Sequence, residues 1–266
     1  MGFPYKTVLI VGCTAGIGLA LAERMIENGI FVIAVGRRQE RLDAFVAKHG
    51  SDKAAASQFD ITKLDDIQGW VKNIVKTYPT LDCVVLNSGI QRTLNFTQPA
   101  GIDLGRVQQE LTTNYTSYIF LLTHLLPHLQ SLAPRPAAIV AVSSGLAVVP
   151  LPRCANYCAS KAALHSLMWS MRAQLAADKE KSGHIRVVEV LPPAVQTELH
   201  GLQEELRARG PTDFGMPIEE FTEECWAGLV RADEEVPVGV AREMFIKGED
   251  EKRKAFEDLV KWMGTT

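Results

Sequence analysis

The sequence has no long apolar run, no excess of one charge, no paired cysteine spacing and no internal repeat, and each absence removes a class of protein. No apolar stretch is long enough to cross a bilayer. The amino terminus runs at once into an apolar strand pattern without a charged-then-apolar leader, and Lys6 stands where an acylation motif wants Ser or Thr. With 28 Lys+Arg against 31 Asp+Glu, the formal charge of −3 gives no electrostatic case for nucleic acid or an anionic membrane. The five cysteines, Cys13, Cys83, Cys154, Cys158 and Cys225, are odd in number and lack a CxxC pair, so neither a disulfide framework nor a metal site follows. Cys154 and Cys158 stand four apart and read as packing on one helix face. A soluble protein of the reducing cytoplasm is the expectation.

What is present is an alternation. Short apolar runs at 6–11, 30–35, 54–59, 82–87, 137–143, 185–191 and 236–241 read as strands, most of them continuous and β-branched, as strands covered on both faces are. Helical spacing fills 17–28, 39–49, 63–77, 104–130, 157–181 and 218–232. The alternation predicts an α/β fold, a doubly wound Rossmann-type parallel sheet of about seven strands with helices on both faces, in a single domain over 1–266. Pro and Gly fence the irregular stretch 192–217, which reads as a substrate lid beside a ligand crevice, with a surface excursion as the plainer alternative. The segment 249–263 reads as an amphipathic terminal helix, for packing or a subunit contact.

Between the first strand and the first helix lies "VGCTAGIG", with Gly12, Gly16 and Gly18. Glycines there permit a tight turn and close approach of backbone N–H groups, and the helix start offers free N–H groups and a positive dipole end to a pyrophosphate. The spacing G-x-x-x-G-x-G resembles that of the short-chain dehydrogenase/reductase superfamily. That resemblance implies a nicotinamide dinucleotide cofactor, with Thr14 and Ile17 of the loop and Ile61 beyond the third strand in its site. The second strand ends at Gly36, followed by Arg37 and Arg38. An NAD site wants a carboxylate there for the ribose hydroxyl; two guanidinium groups favour a 2′-phosphate, so NADP(H) is expected over NAD(H), with Arg37 the better candidate. Asp60 either accepts from an adenine amino group or, like Thr62, starts the next helix. "LNSG" is similar to the family's "NNAG", matching at Asn87 and Gly89.

Tyr157 and Lys161 are four apart, one helical turn, in the small-residue stretch "NYCASKAAL". A fixed ammonium beside a phenol favours phenolate and lowers a pKa that is ordinarily about 10, which would make Tyr157 a general acid for carbonyl reduction or a base for alcohol oxidation. Ser144 stands thirteen positions earlier at the end of the fifth strand, and Asn114 lies in the helix before it. Together they resemble the family's Asn–Ser–Tyr–Lys set. By that resemblance Ser144, rather than the neighbouring Ser143, donates to the substrate oxygen, Lys161 also binds the nicotinamide ribose, and Asn114 holds a water that connects Lys161 to bulk. Tyr115 and Tyr118 read as helix packing.

"LPPAVQT" is similar to the family's turn beneath the nicotinamide at Pro192, Val195 and Thr197, while Pro193 replaces a glycine and should alter the turn locally. Position suggests a mainly apolar pocket from Ile90, Gln91, Arg92, Leu146, Val148, Val149, Arg153, Leu199, His200, Leu202, Phe214 and Met216. The expected partner is a small carbonyl or alcohol substrate. The resemblance adds a homodimer or homotetramer through 104–130 and 157–181. A non-catalytic NADP(H)-binding regulator on the same scaffold is the alternative, because fold alone does not fix function.

Overall fold

The computed structural model describes residues 2–199 and 214–263. Seven parallel strands form one sheet: β1 (Thr7–Val11), β2 (Phe31–Gly36), β3 (Ala54–Gln58), β4 (Cys83–Leu86), β5 (Ala137–Val142), β6 (Ile185–Leu191) and β7 (Glu235–Pro237), in spatial order β3-β2-β1-β4-β5-β6-β7. The order reverses between β1 and β4, opening a crevice at the carboxyl ends of the strands where such sheets bind ligands.

Alternate residues of each strand feed two cores. Val8 and Ile10 of β1 join Val32, Val85 and Val140 on one face, under Leu21 and Met25 of α1 (Gly16–Glu27), Leu42 and Phe45 of α2 (Gln39–His49), and Phe221 and Leu229 of α7 (Ile218–Arg231). Leu9 and Val11 join Ile33, Val84 and Ile139 on the other. Covering that face are α3 (Ile67–Thr77), α5 (Ser117–Gln130) and α6 (Ala155–Ala177), through residues such as Val71, Leu121, Leu125, Leu164 and Met168. Each such side chain, taken fully from water, stabilises the fold by about 1.5–3 kcal/mol. Double coverage is why the strands read as unbroken apolar runs instead of alternating ones.

Of the boundaries that differ from the sequence expectation, three bear on the site. The helix expected over 104–130 is α4 (Leu104–Leu111), a π-helical turn (Thr112–Thr116) and α5. The seventh strand stops at Pro237, which sits on the sheet edge where its missing N–H is tolerated, and Gly239 turns the chain at φ +54° with its N–H on Glu224. The terminal helix α8 (Ala241–Met263) therefore begins eight residues before the expected 249. Among the described residues no helix is long and apolar enough to cross a membrane.

Candidate active site

The glycine loop forms as its residues require. Gly12 and Gly16 take φ +87° and +54°, a region other residues rarely adopt. At Gly18 a Cβ would stand 2.2 Å from the Gly12 carbonyl oxygen and 2.4 Å from Asn87 Nδ2. Gly18 thus lies behind the loop as a packing residue, while Asn87 donates to Gly12 O at 3.0 Å and ties β4 to the loop. A single cavity of about 620 Å³ runs from this loop across the strand ends, lined by Gly12, Thr14, Gly16, Ile17, Arg37, Arg38, Asp60, Ile61, Asn87, Gly89, Pro192, Val195 and Thr197, and by Ser144, Tyr157 and Lys161. Of the expected site residues, Gly18 and Asn114 are outside its wall.

The loop end of the cavity fits a dinucleotide. A Cβ at Gly36 would meet Thr14 Cγ2 at 2.5 Å, so only a glycine lets the end of β2 lie against the loop. No carboxylate stands at that strand end, and the Arg37 side chain is exposed at the rim. Arg38 is held inward, donating to Thr14 Oγ1 at 2.9 Å and to Glu198 at 2.8 Å. Arg41 joins it on Glu198 at 2.7 Å. Neither Arg41 nor Glu198 is legible in the sequence as a site residue, because they meet across more than 150 positions of chain. Asp60 accepts from Thr62 N and Oγ1 at 3.0 and 2.8 Å, satisfying the local turn while lining the cavity.

The chemical end is built on α6. Tyr157 and Lys161 share one helix face and line the same cavity. Ser144 stands close enough to Tyr157 to favour its phenolate, and Ser144 Oγ accepts from Leu146 N at 3.1 Å. Ser143 also lines the cavity, but its hydroxyl is engaged, donating to Val190 O at 3.3 Å. Asn114 sits at the centre of the π-helical turn, fully buried. Its amide accepts from Ile90 N and donates to Ile90 O, both at 2.9 Å, and donates to Ser160 Oγ at 3.0 Å. Asn114 therefore fixes the loop after β4 and faces Lys161 across Gly89. Tyr118, expected as packing, also donates to the Ser88 carbonyl.

One electrostatic expectation is reversed. Lys161 Nζ donates to Val142 O at 2.8 Å and stands 5.7 Å from the Tyr157 ring centroid. Burial pushes the Tyr157 phenol above its usual range, and the Ser144 side chain only partly opposes it. The Lys161 ammonium is itself pushed down to about 8 by burial, against the pull of Glu189. Desolvation outweighs the pairing because both groups lie almost wholly out of water, where each charged form is disfavoured.

Beyond Tyr157 the wall is mainly apolar: Ile90, Leu146, Leu151, Leu199, Phe214, Val240 and Met244, with Gln91 and Arg153. Of the expected pocket residues, Arg92 is held outside on Arg106 O and Gln109. Val148, Val149 and Met216 also stand off this wall, and His200 and Leu202 lie outside the described residues. Val240 and Met244, from the early start of α8, take their place. The two arms of the expected lid meet at its base: Val195 pairs with Met216, and Gln196 N donates to Met216 O at 3.0 Å. Pro193 packs toward Gly239, and the turn holds β5 through Gly145 N on Pro192 O at 2.8 Å. Among the described residues no cluster of His, Cys, Asp and Glu could hold a metal ion.

Comparison with known proteins gives this geometry a context. The chain is 35% identical over 234 residues to the uncharacterized oxidoreductase DltE of Bacillus subtilis, covering 87% of both. It is 29% identical over 248 residues to the benzil reductase ((S)-benzoin forming) of Saccharomyces cerevisiae, covering 91% of both. A short chain dehydrogenase from Burkholderia cenocepacia, solved in complex with NADP, superposes with a TM-score of 0.76 at 25% identity, over 98% of this chain and 99% of that one. A short-chain dehydrogenase from Sphingobium yanoikuyae in complex with NADPH gives 0.76 at 26% identity, over 95% of both chains. The family model described as short chain dehydrogenase matches residues 6–207, most of the described sheet and every strand but the last, and the chain belongs to that family of oxidoreductases.

Proposed function

We propose that the protein is an NADP(H)-dependent carbonyl reductase, reversible as an alcohol dehydrogenase, with Tyr157 as general acid and base. The observation that carries this reading is the convergence of Ser144, Tyr157 and Lys161 on the far end of the cavity that begins at the glycine loop. Arg37, with no carboxylate in the sequence at the end of β2, supports NADP(H), as do the NADP and NADPH complexes of the two solved relatives, while Arg38 is paired with Glu198.

Bound NADPH supplies the hydride. The chain's own residues handle the oxygen and its proton. Ser144 and Tyr157 hydrogen-bond the substrate oxygen and stabilise the charge that builds there. Burial keeps the Tyr157 phenol protonated at neutral pH, so it acts as the acid of the reductive direction. Lys161, close to half-protonated near pH 8, stands behind it to restore the proton and to hold the ribose. The apolar wall favours a carbonyl compound with a sizeable hydrophobic body, a class that includes the substrate named for the yeast relative. Arms 192–199 and 214–217 form the base of the proposed lid. Leu104 and Leu111, 75% and 41% exposed on α4, support the expected homodimer or homotetramer.

The test is loss of nicotinamide absorbance over a panel of aliphatic and aromatic ketones, diketones and aldehydes, with NADPH and NADH. Tyr157→Phe should lower kcat/KM by about 10²-fold or more while leaving NADPH binding intact. Equal rates for the two proteins reject the mechanism, and tight NADPH binding with no turnover on any carbonyl favours the non-catalytic regulator.

A further inference from the structure

Cys154 and Cys158 flank the Tyr157 ring, and the three side chains form one small buried cluster closed by Leu146 and Leu151. Their sulfurs are 3.8 Å apart. Cys154 is the residue before α6, at φ −127° and ψ +49°, and Cys158 lies one turn in. Residues four apart across a helix start are separated by about 6 Å along the axis, within the Cα spacing a disulfide spans. Closing the bond to about 2.05 Å needs side-chain rotation and little backbone movement.

The surroundings suit thiolate chemistry at one of the two. Leu151 N donates to Cys158 Sγ at 3.3 Å, and Gln91 Nε2 donates to Cys154 Sγ at 3.3 Å. The sulfur–sulfur contact and the Leu151 N–H favour the Cys158 thiolate and lower that thiol's pKa against burial. The other three cysteines are also buried, but nothing stabilises their thiolates: burial drives Cys13 and Cys83 upward and Cys225 up to about 12. Leu146 and Leu151 line the candidate cavity, so the buried sulfurs lie one residue layer behind its wall.

We propose that Cys154 and Cys158 are an oxidisable thiol pair that a peroxide converts to a reversible disulfide beside Tyr157. The Cys158 thiolate attacks one peroxide oxygen; an S–O bond forms, the O–O bond breaks, and the departing hydroxide takes up the proton Cys158 released to become the first water. The Cys154 sulfur then attacks the sulfenic sulfur; the S–S bond forms, the S–O bond breaks, and the Cys154 proton leaves in the second water. Two thiols lose two electrons and the peroxide gains them. The bond withdraws Cys158 Sγ from Leu151 N and draws the cavity wall at Leu146 and Leu151 across Tyr157. The consequence for turnover rests on the catalytic reading above; the modification itself does not.

The test adds hydrogen peroxide stepwise to the reduced, folded full chain and maps peptides by mass. The peptide holding both residues should lose two hydrogens, regain them with dithiothreitol, and do so in Tyr157→Phe as well, whose turnover is already about 10²-fold lower. Cys154→Ser and Cys158→Ser should each abolish that loss. Turnover of carbonyl should fall about tenfold or more on oxidation and return on reduction, since small misplacements at a reacting centre are costly. Both thiols staying reduced, Cys158 accumulating only as sulfinic acid, or the two-hydrogen loss persisting in either serine variant overturns the pair. Oxidised protein with undiminished turnover overturns its link to Tyr157. If the reduced protein turns over no carbonyl, the catalytic reading fails while the mass result still decides the disulfide.

Discussion

Lys161→Met should stabilise the protein near neutral pH while removing its activity. The Lys161 side chain is 3% exposed, and burial brings its ammonium from the ordinary 10.5 to about 8. That difference represents about 3 kcal/mol by which the folded state disfavours the charge, at about 1.4 kcal/mol per pH unit. Methionine fills a similar volume without a charge but leaves the Val142 carbonyl without its 2.8 Å donor, at a cost of about 1–3 kcal/mol. The net gain near pH 7 is therefore about 0–2 kcal/mol. The sign of the pH dependence is the sharper test. Between about 8 and 10.5 the unfolded lysine holds its proton and the folded one has released it, so wild-type stability rises through this window while the variant's contribution stays flat. Urea unfolding of both proteins under reducing conditions, from about pH 7 to pH 10, should show the advantage of Lys161→Met shrinking by about 2–3 kcal/mol and reversing sign. A stability difference that does not change across that range refutes the claim that burial dominates this site.

Three further outcomes are expected. Arg37→Ala should weaken NADPH binding by about tenfold or more in titration calorimetry and leave NADH unchanged, as loss of a charge-assisted phosphate contact would. Burial alone would lower the pKa of His165, but hydrogen bonds and charge from Glu189 at 2.8 Å and Glu249 at 3.1 Å raise it above 6.5. The stability this triad gives is fully present below 6.5 and is lost as pH rises through the folded value, so Glu249→Gln should destabilise the protein more at about pH 6 than at about pH 9, by about 1–3 kcal/mol in chemical unfolding. Gly18→Ala, whose Cβ would sit 2.2 Å from Gly12 O, should cost about 1–3 kcal/mol, whereas Gly69→Ala in open space on α3 should add up to about 1 kcal/mol; equal melting shifts would contradict the packing described for the loop.

What was legible in the sequence was local. The continuous apolar runs gave the strands because both faces of the sheet are covered, and α2 falls on 39–49 as its spacing predicts. Glycine spacing and the Tyr157–Lys161 interval brought the two ends of the cavity into view, since each is set within a few residues of chain. What depended on distant contacts was hidden. Glu198 reaches Arg38 and Arg41 from the far side of the sheet, Val240 and Met244 enter the pocket because Gly239 turns the chain early, and Arg92 is drawn off by Gln109. The π-helical turn at Asn114 leaves no periodic mark over five residues, too short for a helix and a π-turn to differ in pattern.

The misjudged tyrosine shows why proximity along a helix is an incomplete electrostatic argument. A cation near a phenol lowers its pKa, but burial can outweigh that pull: desolvation is the largest influence on both groups, raising Tyr157 and lowering Lys161. A neutral phenol is a proton donor, and a lysine that titrates near pH 8 can pass a proton on without being a permanent charge. The proposed reduction therefore needs no preformed phenolate, whereas the reverse oxidation does, and raising the pH past the Lys161 value should shift the balance of rates toward oxidation. Initial rates measured in both directions from about pH 6 to pH 10 check this, and parallel profiles in the two directions would separate the proton donor from Tyr157.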